Sequence, residues 1–294
     1  MVRLMWAVAL ALAGGQTAPA QQITREGPFE KLVLDGGEAK AWSPAEATLE
    51  RATEPIGGAP AALHFGITVD HKTGEPNYPI GWPRANRPFP EPWQRDWSGW
   101  DYFRLKVHTR TSRAALPGRP LGLTLYTPDK PSAYQRSLTE LRKDQWTELT
   151  LPVATIPRAD NVTGIQLYLS ESDYADGDHV DFFVDDLCLL RYAAPTIGSF
   201  ELGQRTVFAD ARYIPARLAL LGLPPGDTKT VACELLSGGK VVAGTQLALE
   251  RGTHQVWLDL GTAKRAAGDY GVRARLGESV AGPLPLRLAD SPYR

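Results

Sequence analysis

Tyr102-Phe103-Arg104-Leu105-Lys106-Val107-His108 alternates apolar with polar or aromatic side chains at every step. Successive side chains of a β-strand point to opposite faces. Phe103, Leu105 and Val107 therefore read into a core, and Tyr102, Arg104, Lys106 and His108 read onto an outer face. The same period of two recurs on both sides of this stretch. Leu63, Phe65, Ile67 and Val69 alternate with His64, Gly66, Thr68 and Asp70; Leu121, Leu123 and Leu125 with Gly122, Thr124 and Tyr126; Ile165, Leu167 and Leu169 with Gln166, Tyr168 and Ser170. No segment keeps a 3.6-residue amphipathic period through three or four turns. Strands without intervening helices predict an all-β chain of antiparallel sandwiches and argue against a doubly wound α/β sheet.

The predicted strands are 62–69, 100–108, 121–126, 146–151, 164–169 and 180–190, punctuated by Gly57-Gly58, 86–92 and 128–131. Near Tyr192 the texture changes. Ala193-Ala194-Pro195 reads as a linker, and a second strand series follows at 205–211, 216–221, 230–236, 240–249, 255–260 and 270–276. Strand spacings of about ten residues fit a small immunoglobulin-like sandwich. Its Gly268-Asp269-Tyr270 turn resembles a tyrosine corner, a structural role. Arg3, the apolar run 4–13 and Ala18-Pro19-Ala20 have the three-part pattern of a secretory signal peptide. The expected division is thus a leader at 1–20, a first sandwich at 28–192 and a smaller one at 197–288. The expected location is secreted or periplasmic.

Composition limits the chemistry. Of 294 residues, 43% are apolar and 22% charged, which excludes a disordered chain. Thirty-two basic against 33 acidic residues leave no surplus for neutralising phosphates, so nucleic acid is not an expected partner. Two Cys and five His without CxxC or HExxH exclude a disulfide scaffold, a zinc ribbon and a zincin. Both cysteines read as buried thiols in different sandwiches. No later apolar run reaches the roughly 18 residues of a membrane span.

Four pieces in order carry a family resemblance: Leu32-Val33-Leu34-Asp35-Gly36-Gly37, then 97–105 (WSGWDYFRL), then Trp146-Thr147-Glu148-Leu149 with Leu151-Pro152, and the closing Asp181-Phe182-Phe183-Val184-Asp185-Asp186-Leu187. From Phe29 to about Arg191 the chain resembles the galactose-binding-like jelly roll of carbohydrate-binding modules in secreted bacterial proteins. The resemblance implies a poly- or oligosaccharide ligand, alone or beside a separate or fused glycan-active enzyme. It also implies a structural calcium bridging the opening and closing segments, which maps onto Asp35 and Asp186. The loop 173–178 offers closely spaced oxygens as a second cation candidate.

The outward residues suit a sugar, because an aromatic ring covers the C–H face of a pyranose while amides, guanidinium and hydroxyls pair with its hydroxyl groups. The candidate ligand residues are Tyr102, Arg104, His108, Tyr126, Gln166 and Tyr168. Trp82 and Trp93 join them from a Pro-rich stretch read as a rigid binding loop. The alternative reading makes these the ordinary outer residues of a sandwich, where β-propensity enriches Tyr and Thr. A polysaccharide lyase or glycoside hydrolase is the catalytic alternative, with the strand 102–108 supplying a base or Glu140, Glu148 and Glu171 supplying carboxylates. A structural surface protein without a small ligand is the third.

Overall fold

A computed structural model of the chain describes residues 23–57, 62–72, 81–129 and 134–292. The expected leader at 1–20 lies outside these residues. The chain is all-β. Among the described residues, twelve strands precede Ala193: β1 (Ile23–Glu26), β2 (Phe29–Val33), β3 (Ser43–Ala45), β4 (Thr48–Arg51), β5 (Leu63–Thr68), β6 (Arg84–Pro88), β7 (Tyr102–Thr111), β8 (Gly122–Tyr126), β9 (Tyr134–Ser137), β10 (Trp146–Pro152), β11 (Gly164–Tyr168) and β12 (His179–Tyr192). They form two antiparallel sheets. In the seven-stranded sheet, one edge of β12 runs along β7, which pairs with β10. The opposite edge is shared end to end by β5, flanked by β4, and by β2, flanked by β1. The five-stranded sheet has the order β3-β6-β11-β8-β9.

The alternation read from the sequence explains the packing between these sheets. Phe65, Phe103, Leu105, Leu123, Leu125, Ile165, Leu167 and Phe182 are fully buried in one core, with Phe89 and Trp97 added from the Pro-rich stretch. That stretch departs from its expected loop. Arg84–Pro88 is a strand held between β3 and β11, and Pro92–Arg95 is a single helical turn, α1, closed by a reciprocal cap between Glu91 and Gln94. Its short polar sequence, with Ala85 alone facing inward, lacks an apolar period, so the strand is imposed by the open edge of β11.

Eight further strands follow: β13 (Thr196–Leu202), β14 (Thr206–Phe208), β15 (Ile214–Leu221), β16 (Thr228–Ser237), β17 (Lys240–Glu250), β18 (Gly252–Leu258), β19 (Gly268–Leu276) and β20 (Ser279–Ala289). They build a three-stranded sheet, β13-β15-β18, and a five-stranded one, β14-β20-β19-β16-β17, around a second core. The Tyr270 hydroxyl donates to the carbonyl of Ala266 at 3.0 Å, pinning the start of β19 to its own turn. Both cysteines are free and buried, Cys233 in the second core and Cys188 on β12 beside Lys31, Arg104 and Asp186, and burial pushes the Cys188 and Cys233 thiols up to about 12 and about 11.

The two sandwiches meet at Asp101. Its fully buried carboxylate accepts the amides of Tyr192 at 2.8 Å and Gly222 at 3.0 Å. Arg251, reaching across from the turn between β17 and β18, stands 3.0 Å from the other oxygen and donates to the carbonyls of Ser98 and Trp100. Breaking a buried ion pair by removing one partner costs about 3–5 kcal/mol, because the remaining charge stays buried. Asp101→Ala also orphans two amides. We expect a loss of that size in denaturant unfolding, with the transitions of the two sandwiches separating; a loss below about 1 kcal/mol would contradict this junction.

Candidate functional site

Seven of the eight expected ligand residues lie on the two outer faces of the first sandwich, and those faces have different fates. Tyr102, Arg104 and His108 lie on β7, in the seven-stranded sheet. The Arg104 guanidinium is buried, bonded to Glu26 at 2.7 and 2.9 Å and paired with Asp186 at 2.5 Å. The same contacts hold the Glu26 carboxyl down at about 2, the Arg104 hydrogen bond being the largest cause and burial opposing it. His108 is buried between Trp146 and Phe183, with ring centroids at 5.5 and 6.0 Å, and burial lowers its basicity. Above it, the Trp146 indole donates to the Ile56 carbonyl at 2.8 Å. Tyr102 packs edge-on to Phe29 at 6.2 Å and near Tyr192 at 6.3 Å. These three residues therefore seal and staple the sheet, and they do not share a face with the remaining candidates. Trp93, on α1, packs half-buried against the core and also leaves the candidate set.

Asp35 and Asp186 come near one another through the backbone, where the Leu187 carbonyl accepts from Leu34 at 2.9 Å and Asp35 at 3.4 Å. Their carboxylates are spent separately. Asp35 accepts from Gly37 at 3.1 Å and Trp42 at 3.2 Å and pairs with Arg87 at 3.2 Å. Asp186 is ringed by Lys31, Arg104 and Lys106. Calcium needs several open oxygens, and a carboxylate already faced by three cations does not fit it, so this pair does not suit the expected ion. In the loop 173–178, Asp173, Asp176 and Asp178 are likewise paired with Arg119, Lys72 and Arg113.

Trp82, Tyr126, Gln166 and Tyr168 do converge, on the outer face of the five-stranded sheet. Register places Tyr168 between Arg84 of β6 and Gly122 of β8, and Gln166 between Asn86 and Thr124. Gln166 forms a floor: it is only 5% exposed, donates to the Asn86 side chain at 2.8 Å and lies within hydrogen-bonding reach of the Tyr126 phenol. Beside it, the buried Thr124 hydroxyl has no hydrogen-bond partner among the described residues. The Tyr168 ring lies flat across Gly122, where a Cβ would stand 2.2 Å from its Cζ. Trp82 meets that ring edge-on at 5.9 Å and is 40% exposed, with the Arg84 guanidinium 5.0 Å from the indole centroid. Arg84 also donates to the Trp82 carbonyl at 3.0 Å, so cation, indole and phenol hold one another.

The indole is positioned from below by two carboxylates. Glu46 accepts the Trp82 amide at 2.5 Å and Glu171 the Gly81 amide at 2.9 Å. Glu171 also takes the Asp70 amide at 3.2 Å. Burial raises its carboxyl above the usual range, the two amides oppose this, and Glu46 adds to it. Glu46 itself adopts a left-handed backbone at φ 53°. Both carboxylates are thus committed to backbone amides. The other carboxylates weighed for catalysis, Glu140 and Glu148, are paired with Arg136 and Lys106. Burial raises the Tyr126 phenol as well, with Arg84 pulling it down and Tyr168 up, so at neutral pH it is an uncharged donor and acceptor. The face offers indole and phenol rings, a guanidinium, two amides and hydroxyls, which is recognition chemistry. Sequence alone gives Arg84 and Asn86 no role and Gly122 only its outward position; the alternation of Arg84 and Asn86 about the buried Ala85 is the available signal.

Gly122→Ala should force the Tyr168 ring off its strand. Overpacking of this kind costs about 1–3 kcal/mol, read as a lowered denaturation midpoint together with a changed Trp82 fluorescence. An unchanged midpoint and spectrum would show that the ring does not depend on that glycine.

No protein-family model matches the chain, and no curated protein matches it. Solved structures do resemble it. They include a β-1,2-glucanase from Parabacteroides distasonis, at 16% identity and TM-score 0.38, matched over 86% of this chain and 37% of that one. The glycoside hydrolase domain of Endo-D from Streptococcus pneumoniae R6 follows at 12% and 0.31, over 84% and 36%. A β-glucuronidase from Ruminococcus gnavus matches at 11% and 0.23, over 85% and 45%. This chain spans less than half the length of each of these.

Proposed function

We propose that the outer face of β6, β11 and β8 recognises a sugar unit of a poly- or oligosaccharide without turning it over. The observation that carries this reading is the joint placement of Trp82, Arg84, Tyr168 and Tyr126 around the amide floor of Gln166 and Asn86. A pyranose presents one C–H face and a rim of hydroxyls. Ring stacking takes the first, and amides, a guanidinium and phenols take the second. The amides, phenols and guanidinium stand on adjacent strands, and Trp82 lies just before β6 against Tyr168 and Arg84, so little side-chain freedom is lost on binding. The neutral phenol and the committed carboxylates favour binding over general acid–base catalysis. The leader-like residues 1–20 make an exported module the natural setting.

The test is affinity electrophoresis of the chain through gels containing soluble polysaccharides, at pH 6 and pH 8. Retardation should be similar at both pH values, and Trp82→Ala and Tyr168→Ala should each weaken it about tenfold or more, the scale of a lost aromatic anchor. Retardation that survives both substitutions would place the sugar elsewhere and refute the assignment.

A further inference from the structure

A second exposed aromatic platform lies on the other sandwich. Trp257 is 67% exposed, the largest exposure among the described large hydrophobic residues. It stands on β18, an edge strand of the three-stranded sheet. Side chains on that outer face fall into rows fixed by register. Trp257 lies opposite Pro215, whose ring in turn covers Gly203: a Cβ there would stand 3.1 Å from Pro215 Cγ. Two residues along each strand, Gln255 lies opposite Arg217 and Arg217 opposite Glu201. The first row is an apolar floor and the second is polar. They are about 7 Å apart, twice the rise per strand residue, while neighbouring strands are about 4.8 Å apart. A groove of about 260 Å³ is lined by both rows.

The polar row is unspent. Among the described residues, no hydrogen bond or ion pair engages the side chains of Glu201, Arg217 or Gln255, although elsewhere on this sandwich Arg273 pairs with Glu234 at 2.5 Å. An exposed indole carries a large desolvation gain when covered, and unpaired donors and acceptors beside it suit a ligand that is apolar on one side and hydroxylated at its rim. The groove is smaller than the roughly 300–1,000 Å³ pockets that enclose drug-sized ligands, and so takes one ring at a time along an open edge.

We infer that the Trp257 groove is a second glycan site, in which one pyranose ring stacks on the indole and Pro215 while Arg217, Gln255 and Glu201 bind its hydroxyls. The class of ligand follows the reading of the first sandwich, but the site is separate from it. The two are mechanically joined. Arg251, immediately before β18, is the residue anchored on Asp101, Ser98 and Trp100, so the strand carrying Trp257 is fixed at its start to the first sandwich. Two weak sites on one chain bind a polymer that spans both more tightly than either alone.

The experiment uses the full chain labelled with 5-fluorotryptophan and titrated with short neutral and uronate oligosaccharides, with Trp257→Phe and Trp82→Phe identifying the two fluorine resonances. The expected result is a saturable shift of the Trp257 resonance, retained in the Trp82→Phe protein, with Trp257→Ala weakening polysaccharide retention about tenfold. A Trp82 shift without a Trp257 shift overturns the second site and leaves the first standing. A Trp257 shift without a Trp82 shift supports the second site and removes the first. Movement of the Trp257 resonance on protein dilution, with no response to sugar, identifies a self-association surface and overturns the inference. Silence of both resonances removes both sites.

Discussion

A buried central strand must find partners for every backbone N–H and C=O on both of its edges, and β12 meets this constraint over 14 residues. One edge is matched by β7 almost throughout, whereas the other is covered by two shorter strands placed end to end. The change from β5 to β2 occurs where the register slips between Asp185 and Cys188, with Asp186 in a left-handed conformation at φ 55°. A bulge of this kind re-aims a side chain. Here it aims the Asp186 carboxylate at Lys31 of β2 and Arg104 of β7, tying together the strands that the slip would otherwise loosen. At the far end of β12, the Tyr192 amide reaches Asp101, and through it the second sandwich.

This use of charge accounts for the contrast between the two outer faces. On the seven-stranded sheet the polar residues are consumed by the fold: Arg104 and Asp186 in the ion network, His64 between Glu50 at 3.0 Å and Asp181 at 2.7 Å, and His108 under Trp146 and Phe183. On the five-stranded sheet the side chains organise one another without being covered. Gly122 gives the Tyr168 ring a place to lie, Arg84 and Tyr168 bracket Trp82, and Glu46 and Glu171 hold the backbone under it. The face is braced by its own contacts, neutral in its phenol and partly open at its indole, which are properties of a binding surface.

The two-residue period made the inward set of each long strand legible: Phe103, Leu105, Leu123, Leu125, Ile165 and Leu167 are all buried as the alternation requires. Alternation says which residues face outward but not which strands share a sheet, because pairing is a long-range property of register. Tyr102, Arg104 and His108 were therefore grouped with Tyr126, Gln166 and Tyr168, although the sandwich puts them on opposite outer faces. Strand β6 was hidden for a different reason. Its residues Arg84-Ala85-Asn86-Arg87-Pro88 have little intrinsic β-preference and take strand form through β3 and β11. The aspartates read as calcium ligands were legible as residues, but their arginine and lysine partners come from distant strands.

The central claim is recognition without turnover by the Trp82–Tyr168 face. Its most direct test incubates the chain with a panel of soluble and insoluble polysaccharides and measures bound protein and newly formed reducing or unsaturated ends in the same samples. The account predicts retention on at least one glycan with no release of product. Product formation from any glycan, abolished by substituting Glu46 or Glu171 while binding persists, would contradict it and make those carboxylates catalytic.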